Sequence, residues 1–275
     1  MSNEEKSTGD VAVIGAGNMG TALIRGLLGS GWTNDQILAT GPDPAKMADL
    51  EETLGVQTAT ENRKGAAFGE TVVMAVKPQI IDGVLDEVAD SLQPGALVVS
   101  VAAGIPTDRI EAQLTGDQPV VRTMPNLPAT VGYGATAMCA GDHADAEHLV
   151  TTRRLFESVG SVVGVDESLM DAVTGLSGTG PMYVFQIIEG LSDAGVKVGL
   201  SREDAHELAM QTVLGAAVMA RESGQHPAEL KDRVTSPAGT GITALHEMER
   251  GGLRALLIDA VEAATDRSRE LGDHG

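Results

Sequence analysis

The chain has 275 residues, 42% of them hydrophobic, and carries 39 Asp plus Glu against 19 Lys plus Arg, a formal charge of −20 at pH 7. This length and a mean hydropathy of +0.02 exclude a disordered chain and allow two domains with buried cores. No run nears the roughly 20 apolar residues that span a bilayer, the lone Cys139 excludes an internal disulfide or a cysteine-cluster metal site, and the charge disfavours nucleic acid and anionic membranes as partners.

The first ten residues, MSNEEKSTGD, are polar and lack the basic start and apolar core of a secretory signal, so the chain is expected in the cytoplasm. Val11–Ile14 reads as a strand and Thr21–Leu28 as the helix after it. Further apolar runs at Ile37–Thr40, Val72–Val76, Leu97–Val101 and Val120–Thr123 alternate with helical stretches at Ala45–Leu54, Ile80–Leu92 and Ala144–Val159. Ser161–Val165 reads as one last strand. Alternating strands and helices predict an α/β domain over residues 1–166, a Rossmann-like, doubly wound parallel sheet.

After Asp166 the pattern changes. Helical segments are expected near 168–176, 181–194, 202–223, 241–249 and 252–270, giving an all-helical domain over 167–275. Ser201, followed by Glu203 and Asp204, is a good helix start: a hydroxyl cap with acids in the first turn. Within Leu208–Ala220 only Gln211 and Thr212 are polar, so this helix is apolar nearly all round. A domain of that size cannot easily bury both faces alone, and a second subunit is expected to cover one of them. The acidic, Lys-poor, Ala/Gly/Val-rich composition also resembles that of extreme halophiles, because molar salt screens a repulsion that dilute buffer does not.

The strand at Val11 runs into Gly15-Ala16-Gly17-Asn18-Met19-Gly20 and then a helix, a G-x-G-x-x-G in the context that gives it meaning. Gly15 permits the tight turn, Gly17 lets backbone approach a pyrophosphate, and Gly20 lets helix and strand pack closely. The helix N-terminus faces the phosphates. An acid normally placed at the end of the second strand to hold the ribose is absent: Thr40-Gly41 stands there, and Asp43 follows only after Pro42. NADP(H) is therefore favoured over NAD(H), although no arginine stands ready for a 2′-phosphate. Ser236-Pro237-Ala238-Gly239-Thr240 reads as a second helix start, with Ser236 as cap, Pro237 first in the helix and bare N–H groups suited to a carboxylate. The six histidines are scattered and read as surface groups, Cys139 follows an apolar strand-like run (Ala135–Met138) and reads as a small buried hydrophobe, and no metal site is expected.

Several later stretches match one family. They are Ala75-Val76-Lys77-Pro78-Gln79, Ser100-Val101-Ala102-Ala103-Gly104, Arg122-Thr123-Met124-Pro125-Asn126-Leu127-Pro128-Ala129, the long string Asp171–Pro181, Asp193–Leu200 and Val234–Thr240. Together they resemble pyrroline-5-carboxylate reductase, from about Val11 to Leu271 and in order. The resemblance implies NAD(P)H-dependent reduction of a cyclic imine to L-proline. Its cofactor site would comprise Gly15, Ala16, Gly17, Asn18, Met19 and Gly20, with Thr40, Gly41 and Asn62 at the adenosine end. Ala75, Lys77, Pro78, Ala102, Ala103 and Asn126 would lie along the cofactor. The substrate carboxylate would lie at Ser236, Gly239, Thr240 and Gly241, between the domains, with helices of a neighbouring subunit closing the site. A homodimer is the minimal unit implied, with a larger ring of dimers left open. The family pattern has two glycines after Ser-Pro and a threonine at position 241; here Ala238 and Gly241 depart from it. The hydroxyl stands one residue early, which makes Thr240 the candidate catalytic side chain, with an ordered water as the alternative, and Gly241→Thr a change expected to be tolerated or mildly activating. Rival readings are a related imine or 3-hydroxyacid reductase, or a cofactor sensor on the same scaffold.

Overall fold

The computed structural model describes residues 9–273. The polar residues 1–8 and His274 discussed above lie outside them. The first elements are β1 (Val11–Ile14), α1 (Asn18–Gly29), β2 (Ile37–Thr40), α2 (Pro44–Leu54), β3 (Gln57–Ala59), α3 (Asn62–Phe68) and β4 (Thr71–Met74). Then come α4 (Ile81–Val88), β5 (Leu97–Ser100), α5 (Thr107–Glu111), β6 (Val120–Met124), β7 (Gly134–Ala140), α6 (Ala146–Glu157) and β8 (Gly160–Gly164). The eight strands form one sheet in the order β3-β2-β1-β4-β5-β6-β7-β8. The stretch from β3 to β6 is parallel and follows the strand order of a dinucleotide-binding fold.

Strict alternation along short apolar strands explains the layers. Val11 and Val13 join one core with Leu23, Ile24 and Leu27 of α1 and Leu155 and Phe156 of α6. Ala12 and Ile14 face the other way, into a core with Ala66 of α3 and Ile81, Leu85 and Val88 of α4. Both faces of the sheet are thus covered, and near-continuous apolar strands are what two-sided burial requires.

The sheet departs from the expected all-parallel arrangement at one edge. β7 runs antiparallel to β6, and β8 runs parallel to β7. Only nine residues, five of them in the short 3₁₀ turn Leu127–Val131, separate β6 from β7, too little chain for a parallel crossover, whereas α6 gives β7–β8 one. β3, α3 and α5, short elements without strong periodicity, were not predicted; β7 was visible only as an apolar run at 135–138.

The helical remainder consists of α7 (Met170–Val173), a π-helical turn (Thr174–Gly178), α8 (Gly180–Lys197), α9 (Arg202–Ser223), α10 (Pro227–Arg233), α11 (Thr240–Arg250) and α12 (Leu253–Asp273). α9 matches the expected span, and Ser201 caps it by accepting from the Asp204 N–H at 3.1 Å. By packing the chain divides into two units. The first runs through Gly178 and takes in the residues from Ala264 onward; the second is Thr179–Ala263. The change of character at Asp166 marks the end of the strands, but packing carries α7 and the π turn with the first unit. The cause is Met170, buried with Ala137 and Cys139 of β7. The Ser268 hydroxyl donates to Asp171 at 2.7 Å and ties the end of α12 to the same unit.

Candidate active site

The glycine turn forms because β1 ends beside β2 and β4. The N–H groups of Gly15 and Ala16 both donate to the Thr40 carbonyl, at 3.0 and 3.2 Å. Gly15 has φ +102°, and a Cβ there would stand 2.6 Å from the Ala75 carbonyl oxygen, so only glycine fits. A Cβ on Gly20 would meet the Gly15 carbonyl at 2.2 Å, so this residue sets how closely α1 closes on the turn. Gly17 is different: nothing lies within 4 Å of where its Cβ would be. It is the N-cap of α1, and no side chain satisfies the helix start. The first helical bond is from Thr21 N–H to the Gly17 carbonyl, which leaves the N–H groups of Asn18, Met19 and Gly20 ahead of the ladder. An uncapped helix start with open space before it fits a pyrophosphate. Of the expected turn, Gly15 and Ala16 are spent on closing it, Gly17 and Asn18 are exposed, and the half-buried Met19 packs against the core.

At the tip of β2, Thr40 is buried and its hydroxyl donates to Asn62 Oδ1 at 2.8 Å. Asn62 Nδ2 in turn donates to Glu87 Oε2 at 2.9 Å. The structure therefore brings Thr40, Gly41 and Asn62 together and adds Glu87, which nothing in its local sequence signals. Asp43 is occupied: its Oδ1 accepts from the N–H groups of Ala45 and Lys46 and caps α2. Further along the carboxyl edge, Ala75 donates its N–H to the Ile14 carbonyl at 2.8 Å, and Pro78 opens a short 3₁₀ turn after the exposed Lys77. Ala102 is buried, its N–H on Ser100 Oγ at 3.2 Å, and Ala103 is exposed. Asn126 follows β6, but its amide is engaged internally with Ala135 and Ser177.

Asp82 and Cys139 of the first unit depart from their ordinary pKa values. Hydrogen bonds from Arg109 and then Gln113 hold the Asp82 carboxyl below its ordinary value and link α4 to α5. Burial, reinforced by the Glu167 charge and opposed by Arg122, pushes the Cys139 thiol up to about 12. It is the small buried hydrophobe expected. His148 and His226 cap helices α6 and α10.

In the second unit the expected helix start is shifted. α11 begins at Thr240 with Gly239 as N-cap; Ser236, Pro237 and Ala238 form a turn before it. The Gly239 N–H is not bare, because it donates to the Ser236 carbonyl at 3.0 Å. The first helical bond runs from Thr243 N–H to the Gly239 carbonyl, so Thr240, Gly241 and Ile242 supply the N–H groups ahead of the ladder. Ser236 and Thr240 are exposed. Ala238 has φ +55°, the one non-glycine residue in the left-handed region among the described residues. A Cβ on Gly241 would lie 2.3 Å from the Val234 carbonyl oxygen, so threonine there must displace backbone, which speaks against the expectation that it is tolerated.

Comparison with known proteins adds independent findings. Residues 167–271 match the family described as pyrroline-5-carboxylate reductase dimerisation. Residues 10–104 match one described as NADP oxidoreductase, coenzyme F420-dependent. The pyrroline-5-carboxylate reductase of Methanosarcina acetivorans is 44% identical over 95% of this chain and 97% of its own. A solved pyrroline-5-carboxylate reductase from Coxiella burnetii superposes with TM-score 0.93 at 39% identity, covering 96% of this chain and 99% of that one. The Plasmodium falciparum pyrroline carboxylate reductase, solved with NADP bound, gives TM-score 0.84 at 31% identity over 96% and 98%. With an open phosphate turn on a dinucleotide-binding sheet and near full-length identity of this order, the chain belongs to the pyrroline-5-carboxylate reductase family.

Proposed function

We propose that this chain reduces 1-pyrroline-5-carboxylate to L-proline, with NADPH preferred to NADH. The observation that carries the reading is near full-length identity to reductases of that name, joined to a phosphate turn whose outward side is open at Gly17. A nicotinamide held there would supply the hydride that the ring carbon of the C=N bond needs. The N–H groups of Asn18 and Met19 hold the pyrophosphate. Thr40, Gly41 and Asn62 frame the adenosine end, and Ala75, Lys77, Pro78, Ala102 and Ala103 line the way along the sheet edge. The N–H groups of Thr240 and Gly241, with the Ser236 hydroxyl, hold the substrate carboxylate. Gly239 contributes by lacking a side chain, since a Cβ there would strike Ser236 Oγ at 2.3 Å. A substrate bound as iminium carries its proton already, so these groups act by orientation, and the Thr240 hydroxyl accepts from the ring N–H.

Two facts support NADPH. No carboxylate side chain sits on Thr40 or Gly41, and Asp43 is turned to capping α2. The helical unit leaves Leu208 (56%) and Leu214 (53%) of α9 exposed, which suits a homodimer. No helix among the described residues is long and apolar enough to cross a membrane.

Steady-state reduction of pyrroline-5-carboxylate with each nucleotide in about 3 M KCl, where exposed charges are screened, tests the reading. Turnover with a higher kcat/KM for NADPH is expected, and no turnover refutes it. Thr240→Ala should lower kcat/KM about tenfold, the equivalent of about 1.4 kcal/mol for one hydrogen bond; wild-type kinetics would remove the hydroxyl from the scheme.

A further inference from the structure

The π-helical turn Thr174–Gly178 has an unsatisfied carbonyl built into its sequence. In an α-helix the Ser177 carbonyl would accept from the N–H of residue 181, but that residue is Pro181 and has none. The next N–H, that of Met182, is used on the Thr179 carbonyl at 3.0 Å. The missing donor is supplied from elsewhere: Asn126 Nδ2 lies 3.1 Å from the Ser177 carbonyl oxygen and 3.3 Å from Ser177 Oγ. The other end of the same amide, Oδ1, accepts from the Ala135 N–H at 2.9 Å. The amide cannot flip, since a backbone N–H only donates and a backbone carbonyl only accepts. Gly178 completes the clamp: a Cβ there would lie 2.7 Å from Met124 Cε, so the turn sits directly on the end of β6.

A dinucleotide on this sheet runs from β2 across the phosphate turn after β1 toward β4, β5 and β6, which puts its nicotinamide at the end where the π turn sits. We propose that Asn126 is a positioning residue, holding the π turn at the carboxyl end of β6 through Ser177, and that it serves imine reduction through that turn rather than by gripping the cofactor. Nδ2 is engaged by Ser177 and Oδ1 by the Ala135 N–H, so both ends of the amide have partners within the protein. The inference rests on the reductase reading above. That reading stands or falls on wild-type turnover, whereas the NADPH dissociation constant needs no turnover.

Three variants test it. Asn126→Ala should lower kcat about tenfold and raise KM for the imine, with the NADPH dissociation constant, from nucleotide fluorescence, within about twofold of wild type. Asn126→Asp keeps the acceptor for Ala135 but turns a carboxylate oxygen toward the Ser177 carbonyl. That contact disfavours the ionised form and raises the carboxyl pKa; once protonated, the group donates again. Its activity relative to wild type should therefore recover as pH falls from 7 to 5, an acid-side rescue that loss of folding would not produce. Ser177→Ala, which removes only the longer contact, should fall between wild type and Asn126→Ala in kcat. A tenfold weaker NADPH affinity with kcat preserved would overturn the proposal and make Asn126 a cofactor ligand. So would wild-type kinetics in Asn126→Ala, or no pH rescue in Asn126→Asp. If Asn126→Ala fails to fold, the pH profile of Asn126→Asp decides alone.

Discussion

The two units solve burial in opposite ways. In the first, every strand of the parallel stretch from β1 to β6 other than β3 is buried along nearly its whole length, between helices on both faces. In the second, Ala205 and Ala209 are the buried hydrophobic residues, while Met182, Phe185, Leu208, Met210, Leu214, Leu256 and Ile258 stay exposed. Helices as long as α8 and α9 do not persist on propensity alone; their apolar faces need a partner. The first unit carries its core within one chain, and the second is half of a core.

The largest test of that contrast exchanges an exposed side chain in one unit for a buried one in the other. Leu214→Asp should convert dimers to monomers or aggregates, since it forces an unpaired charge into an apolar contact. Leu23→Ala, in the first core, should cost about 2–5 kcal/mol of stability with the assembly intact. A normal dimer mass for Leu214→Asp in analytical ultracentrifugation would break the comparison. Next in size, melting temperature should rise by more than about 5 °C from dilute buffer to molar KCl, as the −20 charge is screened. An unchanged melting curve would remove the halophilic reading.

Gly241→Thr sharpens the comparison within the second unit. Its Cβ meets backbone at 2.3 Å, so the start of α11 must shift, and kcat/KM is expected to fall at least about tenfold. Wild-type or better kinetics would mean that this helix start yields easily. Ala238→Gly should raise stability by roughly 0.5 kcal/mol, the relief of a left-handed alanine less the added entropy of an unfolded glycine; a loss in denaturant titration would contradict it. Smallest is Asp82→Asn in the first unit, less than about 1 kcal/mol because the pair with Arg109 is partly exposed. The folded Asp82 pKa lies below the unfolded one, so its contribution is present above about pH 4 and lost as pH falls through the folded value. Acid titration of wild type and variant should therefore converge at low pH.

What the sequence made legible follows the same division. The strands Val11–Ile14 and Ile37–Thr40 fall where their apolar runs place them, because two-sided burial leaves a continuous signal. The glycine turn was readable because Gly15 and Gly20 each answer a steric demand and Gly17 leaves the helix start open. β3 and α3 were not, since three and seven residues carry too little pattern. The helix start at Ser236 was misplaced by three residues. Ser-Pro is a cap signal, but the Gly239 N–H closes a turn on the Ser236 carbonyl and defers the helix to Thr240. Glu87 and Ser177 reach their places through the tertiary fold, and local spacing does not announce them.

The division of the chain also sets an order of events. The first unit includes residues from Ala264 onward, and its Ser268–Asp171 bond joins positions 97 residues apart. Synthesis proceeds from the N-terminus, so the sheet and its covering helices emerge first, yet the unit that contains them stays incomplete until the last turns of α12 are made. Its final contact closes a long loop, which is entropically unfavourable until made. A nascent chain halted before Ala264 would display a formed cofactor edge on a unit still lacking its last helical turns.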